Sequence, residues 1–339
     1  MRTPDNAVTK EDPVRRIPAL VSSVAVLTVL AASLAGCSPS TASCTPTIAA
    51  GETSALVEAT GEVGSKPAIS IPAPLTAKTP ERSVIVEGEG GFATEGSTVD
   101  FEVSLVDAAN GEFLDSTGYD ENAFLGVAGR DGAMYQALVC ARPGDRLAVT
   151  STLGDSGLDV TSSATEDDLA RSLVLVIDVR SIYLGKADGV NQLPQDGMPN
   201  VVTAPDGTPG VSVLTTEPPT ETRISTIKAG SGVALADGDS AVLNLTAWVW
   251  PSDGSDLRQI STTWNKKPIV QLVANDPTAA QGVPPGVFDA LVGARVGSQV
   301  LAVVAPDDSF ADDSWPSGAS AGDTLIYVID VLGLRSTGK

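Results

Sequence analysis

The stretch ALVCARPGD at residues 137–145 returns as ALVGARVGS at residues 290–298. Further matches follow in the same order in both halves of the chain. SLVLVIDVRSI at 172–182 resembles TLIYVIDVLGL at 324–334, and VEGEGGFATEGSTVDFEV at 86–103 resembles IKAGSGVALADGDSAVLNL at 227–245. Each copy is about 100 residues long, well above the roughly 20–50 residues of a stacked repeat. The sequence therefore predicts two copies of one domain.

Within each copy, apolar residues mostly alternate with polar ones or form short β-branched runs, both of which are typical of strands. Six long strands are predicted in this way, at STVDFEVSLVD, RLAVTSTL, SLVLVIDV, SAVLNLTAWVW, QVLAVVA and TLIYVIDVL. One segment per copy breaks the pattern. DGAMYQALVCARPGD at 131–145 and PPGVFDALVGARVGS at 284–298 each predict a short helix before the penultimate long strand. An antiparallel sheet with one short helix is α+β architecture.

The composition of the 339 residues excludes several classes of function. Lysine and arginine number 21 against 42 aspartates and glutamates, so the formal net charge of -21 argues against binding to nucleic acid, or to anionic lipid by charge. Histidine is absent from the sequence, which excludes Ser-His-Asp and Cys-His catalysis and removes the usual zinc ligands. No metal and no cofactor are expected.

The N-terminus has the pattern of a bacterial secretion signal. Arg15 and Arg16 precede an apolar, uncharged run over residues 17–35, and the string LAGC at 34–37 ends it. That string resembles a lipobox, whose cysteine is lipidated and becomes the first mature residue, so Cys37 is the predicted lipidation site. The alternative is a single transmembrane helix, since the run is nearly long enough to span a bilayer. The polar segment after the run favours the lipoprotein, which would lie outside the cytoplasmic membrane, anchored by lipid.

The remaining cysteines, Cys44 and Cys140, are an even pair in an oxidising compartment. A disulfide between them would close a loop of roughly 95 residues, which stabilises by about 4–5 kcal/mol in the chain-entropy model. The alternative is two free thiols, one of them buried. We favour the bridge because a free thiol outside the cell is exposed to oxidation.

The order of the elements resembles that of the FKBP-type peptidyl-prolyl isomerases. In the second copy, LTAW at 245–248 stands in the place of the family's Tyr-Thr-Gly strand, and ISTTW at 260–264 stands where the family has Phe-Asp-Ser-Ser. PDDSFADD at 306–313 holds the position of the family's Pro-x-x-x-Tyr-Gly loop, and GDTLIYVIDVL closes the domain. Two such copies behind a lipobox are similar to an actinobacterial type of FKBP lipoprotein. The resemblance implies two FKBP-like domains, each an antiparallel half-barrel sheet wrapped on one short helix.

The predicted boundaries follow from the repeat and from a segment dense in proline, glycine and aspartate between the two copies. They divide the chain into a signal peptide over 1–36, a tether over 37–80, a first and more divergent FKBP-like domain over 81–184, a linker over 185–221 and a second FKBP-like domain over 222–336.

The resemblance also implies an apolar pocket for a proline ring in each domain. In the second domain, the family's catalytic pocket positions are occupied by Leu245, Ile260, Ser261, Val287 and Phe310, with Trp264 and Phe288 nearby as binding residues. In the first domain, the equivalent binding positions are occupied by Val103, Leu114, Asp115 and either Met134 or Tyr135. Both pockets stay apolar but lose most of the family's aromatic walls. For Val103 and Leu245, ordinary core packing is an equal alternative.

Isomerisation is chemistry that this sequence could perform without histidine. The barrier to rotation about a peptide bond is about 18–20 kcal/mol because of resonance, and lowering it requires neither a nucleophile nor a general base. The implied function is therefore a peptidyl-prolyl cis-trans isomerase that acts, as a monomer, on proline-containing segments of exported proteins. One alternative is a catalytically weak or inactive FKBP-like peptide-binding protein or chaperone, and another is a β-sandwich adhesion module without a cleft.

Overall fold

Two antiparallel sheets, each preceded by a small two-stranded hairpin, make up the described part of the chain. The computed structural model describes residues 44–120, 123–213, 217–251, 253, 255–264, 266–311 and 313–335. The predicted signal peptide and the lipidation site Cys37 lie outside these residues. None of the helices in the described ranges has the length and apolar composition of a transmembrane segment.

The first sheet follows a hairpin of β1 (Glu58–Thr60) and β2 (Ala68–Ser70). Its strands are β3 (Glu81–Val86), β4 (Thr98–Asp107), β5 (Phe113–Ser116), β6 (Phe124–Val127), β7 (Arg146–Thr152) and β8 (Ser172–Tyr183). They lie in the order β3-β7-β8-β4-β5, and β6 also pairs with β4. The helices of this half are α1 (Ala133–Gln136) and α2 (Glu166–Leu169).

The second sheet begins with a short edge strand β9 (Val190–Asn191), and a hairpin of β10 (Asn200–Thr203) and β11 (Pro209–Ser212) comes before its other strands. Its strands are β12 (Arg223–Ala229), β13 (Ser240–Trp250), β14 (Arg258–Thr262), β15 (Ile269–Leu272), β16 (Gln299–Val304) and β17 (Thr324–Leu334). They lie in the order β14-β13-β17-β16-β12-β9, and β15 also pairs with β13. Helix α3 (Pro285–Leu291) precedes β16.

This content confirms the α+β prediction at the level of fold class, and all six predicted long strands are present as β4, β7, β8, β13, β16 and β17. The division into two FKBP-like domains stays a prediction. Helix α2 is an addition to the predicted single helix of the first copy. Its four residues are stabilised by a capping box, in which Thr165 and Asp168 each bond the other's backbone N–H.

Each sheet buries both of its faces. On the inner face of the first sheet, Phe101 and Val103 pack with Met134 and Leu138 in one core cluster. Because side chains alternate along a strand, Val106 of the same strand points outward. There it packs, with Val174 and Val176 of β8, against Val57, Ala59 and Leu75 from the segment around the first hairpin.

The second sheet repeats this arrangement. Its inner face packs against Val287 and Leu291 of α3. Its outer face carries Trp248 and Trp250, which are buried with Met198 near the second hairpin, where Val201 and Val211 also pack. Residues 44–80 and 185–221, assigned to a tether and a linker by their composition, therefore both contain a segment that covers a sheet. The repeated unit is a hairpin, a sheet and an inner helix.

The two copies of the ALV-x-AR-x-G stretch adopt one backbone geometry after their helices. Cys140 and Gly293 occupy the same position of the repeat and both have positive φ, of 67° and 82°. Their N–H groups donate to Ala93 and Leu235 carbonyl oxygens, each at 2.8 Å. A left-handed residue is easy for glycine and costly for cysteine. Cys140 is bonded to Cys44, which confirms the predicted disulfide.

A buried carboxylate fastens each covering segment to its sheet. Asp178 accepts two bonds from the fully buried Arg146, at 2.6 and 2.7 Å, and one from the backbone N–H of Gly64. Its counterpart Asp330 accepts the backbone N–H of Ala187 at 2.7 Å and the amide of Gln299 at 2.8 Å. Burial raises the pKa of Asp330, since its side-chain partner is neutral.

Contacts also join the two sheets. As a result, the chain from Cys44 onward forms one compact unit. Leu125 of the first half packs with Val242 and Leu332 of the second half in a buried cluster. Arg335 makes a bidentate ion pair with Asp100, at 2.9 and 3.0 Å. This junction fixes the position of β6, which forms one wall of the candidate site.

Candidate functional site

An open cleft of about 220 Å³ lies on the inner side of the first sheet. We call it the N-terminal cleft. Its walls are mostly apolar and come from five elements: β4, the end of β5, β6, α1, and the loop between β7 and α2. The lining residues are Val103, Leu105, Asp115, Ser116, Thr117, Phe124, Met134, Tyr135, Gly157, Leu158 and Asp159.

The strand walls follow from alternation along β4. Val103 and Leu105 point to the inner face, at the edge of the sheet where β5 and β6 both pair with β4. Phe124 lies opposite Phe101 in the register, and the two rings meet edge to face with centroids 5.5 Å apart. This packing holds the Phe124 ring in place as one side of the cleft.

The loop wall is held by the N-terminus of α1. The N–H groups of Ala133 and Met134 donate to Asp155 and Ser156 carbonyl oxygens, at 2.7 and 2.9 Å. The loop can approach the helix because Gly157 has a φ of 84°, and a Cβ there would lie 3.2 Å from the Tyr135 ring. These contacts fix the loop beside the Met134 and Tyr135 side chains.

The polar groups of the cleft lie at its rim. Asp115 is exposed, and its Oδ1 accepts the N–H of Ser116. The Thr117 hydroxyl accepts the N–H of Val103 at 3.0 Å and is thereby fixed to β4. Burial raises the pKa of Tyr135, while the charge of Arg130 acts in the opposite direction. The phenol therefore stays neutral at ordinary pH and can donate a hydrogen bond.

Four residues predicted for the first pocket do line the cleft: Val103, Asp115, Met134 and Tyr135. The fifth, Leu114, is 44% exposed on β5 and is not among the lining residues. The apolar lining residues that were not predicted are Leu105, Phe124 and Leu158. Phe124 begins a four-residue apolar run, FLGV, which was a usable signal, whereas Leu158 lies in a glycine- and aspartate-rich loop with no such pattern.

The residues predicted for the second pocket are mostly brought together, but as a packed cluster. Leu245, Ile260, Phe288 and Phe310 are partly buried and pack against the core that contains Val287. Trp315 of the loop between β16 and β17 joins them, with its ring centroid 5.9 Å from that of Phe310. Ser261 is exposed on β14.

Trp264 lies elsewhere. Its ring approaches Gly207, where a Cβ would lie 2.4 Å from it, and it lines a cavity of about 300 Å³ near the junction of the two sheets. The chain continues from β14 into this junction, so Trp264 belongs to a different surface from the cluster around Val287. The structure does not place Trp264 in the predicted pocket around Val287, and its role in binding stays a prediction.

The N-terminal cleft is suited to binding rather than to covalent chemistry. Its walls accept an apolar ring, and its rim offers hydroxyl groups and carboxylates to an extended backbone. Isomerisation about a prolyl bond is a reaction that such a cleft can accelerate.

Comparison with known proteins finds similar solved structures, but it finds no matching sequence family. No protein-family model matches the sequence, and the search of curated proteins returned no match. Solved structures similar to the chain include FkpA from Escherichia coli, 19% identical with a TM-score of 0.29 over 42% of this chain and 54% of that one. The three FKBP domains of wheat FKBP73 are 12% identical with a TM-score of 0.29, over 75% of this chain and 94% of that one.

A multi-domain immunophilin from Arabidopsis thaliana is 19% identical with a TM-score of 0.28, over 35% of this chain and 44% of that one. The chain thus spans about half the length of FkpA and less than half of the Arabidopsis protein. The Arabidopsis protein is named as an immunophilin, and the wheat protein is named for its three FKBP domains. At this level of similarity, the function has to be inferred from the cleft itself.

Proposed function

We propose that the protein is a peptidyl-prolyl cis-trans isomerase whose working site is the N-terminal cleft. The observation that carries the proposal is the cleft itself, an open and mostly apolar space of about 220 Å³ with a few polar side chains in its lining. Leu105, Phe124 and Leu158 would enclose the proline ring. The packed cluster around Val287, predicted as the catalytic pocket, is the second candidate for the same activity.

The physical basis is differential binding of the twisted amide. A planar peptide bond is polarised by resonance, and twisting it removes the resonance and with it part of the charge separation. An apolar cleft therefore favours the twisted form over the planar one, and this difference lowers the barrier. Rim groups such as Asp115 and the Tyr135 phenol would hold the backbone on one side of the prolyl bond, so that the other side can rotate while the segment stays bound.

The test is the cis-to-trans rate of a Xaa-Pro peptide in the presence of the full chain. We expect a rate clearly above the spontaneous exchange, which takes on the order of tens of seconds. Saturable peptide binding without any acceleration would instead support the alternative of a peptide-binding protein or chaperone. Absence of both binding and acceleration would contradict the proposal.

We further propose that the clients are proline-containing segments of exported proteins and that the protein acts as a monomer outside the cytoplasmic membrane, anchored through Cys37. The Cys44–Cys140 disulfide is compatible with that compartment, since disulfides persist in oxidising surroundings. The full chain is expected to incorporate a labelled fatty acid in cells, and Cys37→Ser is expected to abolish the incorporation. A wild-type protein that stays in the membrane without any label would indicate a retained transmembrane helix instead.

A further inference from the structure

Cations from both halves of the chain border the N-terminal cleft. The Nζ of Lys267 lies 4.5 Å from the centroid of the Phe124 ring, and the guanidinium carbon of Arg130 lies 5.7 Å from the centroid of the Tyr135 ring. Both rings line the cleft. Arg130 also donates to the carbonyl oxygen of Lys266, which ties the two halves together at this point.

The same cations line the cavity of about 300 Å³ at the junction of the two sheets, together with Val127 and Trp264. We call it the junction cavity. Arg130 and Lys267 connect it to the cleft, since both line the cavity and each lies against a ring that lines the cleft. Three residues of extended strand cover about 10 Å. A peptide in the cleft could therefore place a side chain in the junction cavity two or three residues away from its proline.

The charge of the junction cavity stands out against the rest of the molecule. The chain has 21 basic and 42 acidic residues, yet Arg130, Lys266 and Lys267 meet at one cavity. None of the ion pairs found among the described residues involves them. Asp206 is the one acidic side chain in the lining, and its carboxylate already accepts the N–H and the hydroxyl of Thr208.

Two further observations favour an anion at this end of the cleft. The Nε1 of Trp264 is buried and has no hydrogen-bond partner among the described residues, so the lining includes an unused donor. Two carboxylates line the cleft, and Asp159 acts on the Tyr135 phenol near Arg130. Asp115 lies at the other end, because it pairs opposite Leu105 while Phe124 pairs opposite Phe101. Four residues along β4 correspond to about 13 Å. A carboxylate would therefore be repelled from one end and attracted to the other.

We infer that the junction cavity is an anion subsite of the N-terminal cleft, and that it binds an aspartate or glutamate side chain two or three residues from the proline of the bound segment. The inference rests on the proposed function, since it assumes a prolyl segment in the cleft. It adds a substrate class: prolyl segments with an acidic flank. Arg130, Lys266 and Lys267 would provide the charge, and both halves of the chain would be needed to form the subsite.

The test compares three peptides of one design, in which glutamate, glutamine or lysine stands three residues before and three residues after the proline of a Leu-Pro pair. Placing the residue on both sides makes the result independent of the binding direction. Dissociation constants are measured with the full chain at low salt and at about 0.5 M salt. We expect the glutamate peptide to bind roughly three- to tenfold more tightly than the glutamine peptide at low salt, with the difference shrinking in high salt.

The decisive variant is Lys267→Met, in which the ratio of the two dissociation constants should fall towards one, because one of the three cations of the subsite is removed. Its matched control is Lys66→Met, because Lys66 makes the same kind of contact with the ring of Phe113, with its Nζ 3.8 Å from the centroid, and neither residue lines the cleft. Lys66→Met should keep the wild-type ratio. A thermal melt of each variant shows whether it is folded.

Failure of the inference and failure of the proposed function give different results. Equal binding of the glutamate and glutamine peptides, in competition with a simple Leu-Pro peptide, would overturn the anion subsite and leave the prolyl site standing. Tighter binding of the lysine peptide would overturn it as well. If no peptide binds at all, both the subsite and the proposed function are overturned.

Discussion

Replacing Cys44 and Cys140 together by serine is expected to lower the free energy of unfolding by about 4–5 kcal/mol. The bridge joins residues 96 apart in sequence, and in the chain-entropy model its removal frees that whole loop in the unfolded state. The segment after Cys44 would also be held less firmly, although Ile48 remains part of the first core cluster. Urea unfolding of the wild type and of the double variant measures the difference directly.

The repeat supplies a matched control for this experiment. Because Cys140 has the left-handed backbone that Gly293 has in the second copy, Cys44→Ser with Cys140→Gly should be about 1 kcal/mol more stable than Cys44→Ser with Cys140→Ser. Both variants lack the bridge, so the loop entropy cancels between them. A loss below about 1 kcal/mol for the serine pair would show that the bridge contributes little to folding.

Replacing Arg146→Met is expected to cost about 3–5 kcal/mol, since it leaves the carboxylate of Asp178 buried without its cation. The guanidinium also donates to the carbonyl oxygens of Gly61, Glu62 and Ser65, so the covering segment of the first sheet would lose its attachment. The same urea experiment applies. Increased proteolysis near residues 61–65 should accompany the loss of stability.

Two further variants distinguish the effect of losing a buried hydrogen-bond partner of Asp178 from the effect of removing a positive charge anywhere on the protein. Arg146→Gln should be less harmful than Arg146→Met, because the second copy pairs Gln299 with Asp330 at the corresponding position. Arg171→Met removes the half-exposed pair with Asp107, in which the Arg171 side chain is 52% exposed and that of Asp107 is 11% exposed, and should change stability by no more than about 1 kcal/mol. Equal effects of Arg146→Met and Arg171→Met would contradict the assigned role of the buried pair.

The sequence predicted the elements whose pattern is regular. Alternation and β-branched runs located the six long strands, and the repeated ALV-x-AR-x-G stretch located both inner helices. The covering hairpins were not predicted, because β1, β2, β10 and β11 are short and their apolar residues are spaced among prolines and glycines. The hairpins cover the sheets because of tertiary packing, since the apolar outer face of each sheet has to be buried. That face carries Val174 and Val176 in the first sheet and Trp248 and Trp250 in the second.

The candidate site was predictable to a similar extent. Val103, Met134 and Tyr135 were found because a strand or a helix fixes the direction of their side chains. Leu114, Leu158 and Trp264 were misplaced or missed because their positions depend on where loops run: Gly157 brings Leu158 to the cleft, and the chain after β14 takes Trp264 to the junction. The cations of the junction cavity come from both halves, so no local pattern could have joined them.

The central claim is that a prolyl segment is bound and isomerised in the N-terminal cleft. Its most direct test compares the kcat/KM of isomerisation for the variant Leu105→Trp with that for the control variant Val84→Trp. Leu105 is partly buried and lines the cleft, so an indole there would fill the space for the proline ring. Val84 is 41% exposed on β3 of the same sheet and is not among the lining residues. The account predicts at least about a tenfold loss for Leu105→Trp, or about 1.4 kcal/mol in transition-state binding, and wild-type activity for Val84→Trp. Full activity in a folded Leu105→Trp protein would contradict it.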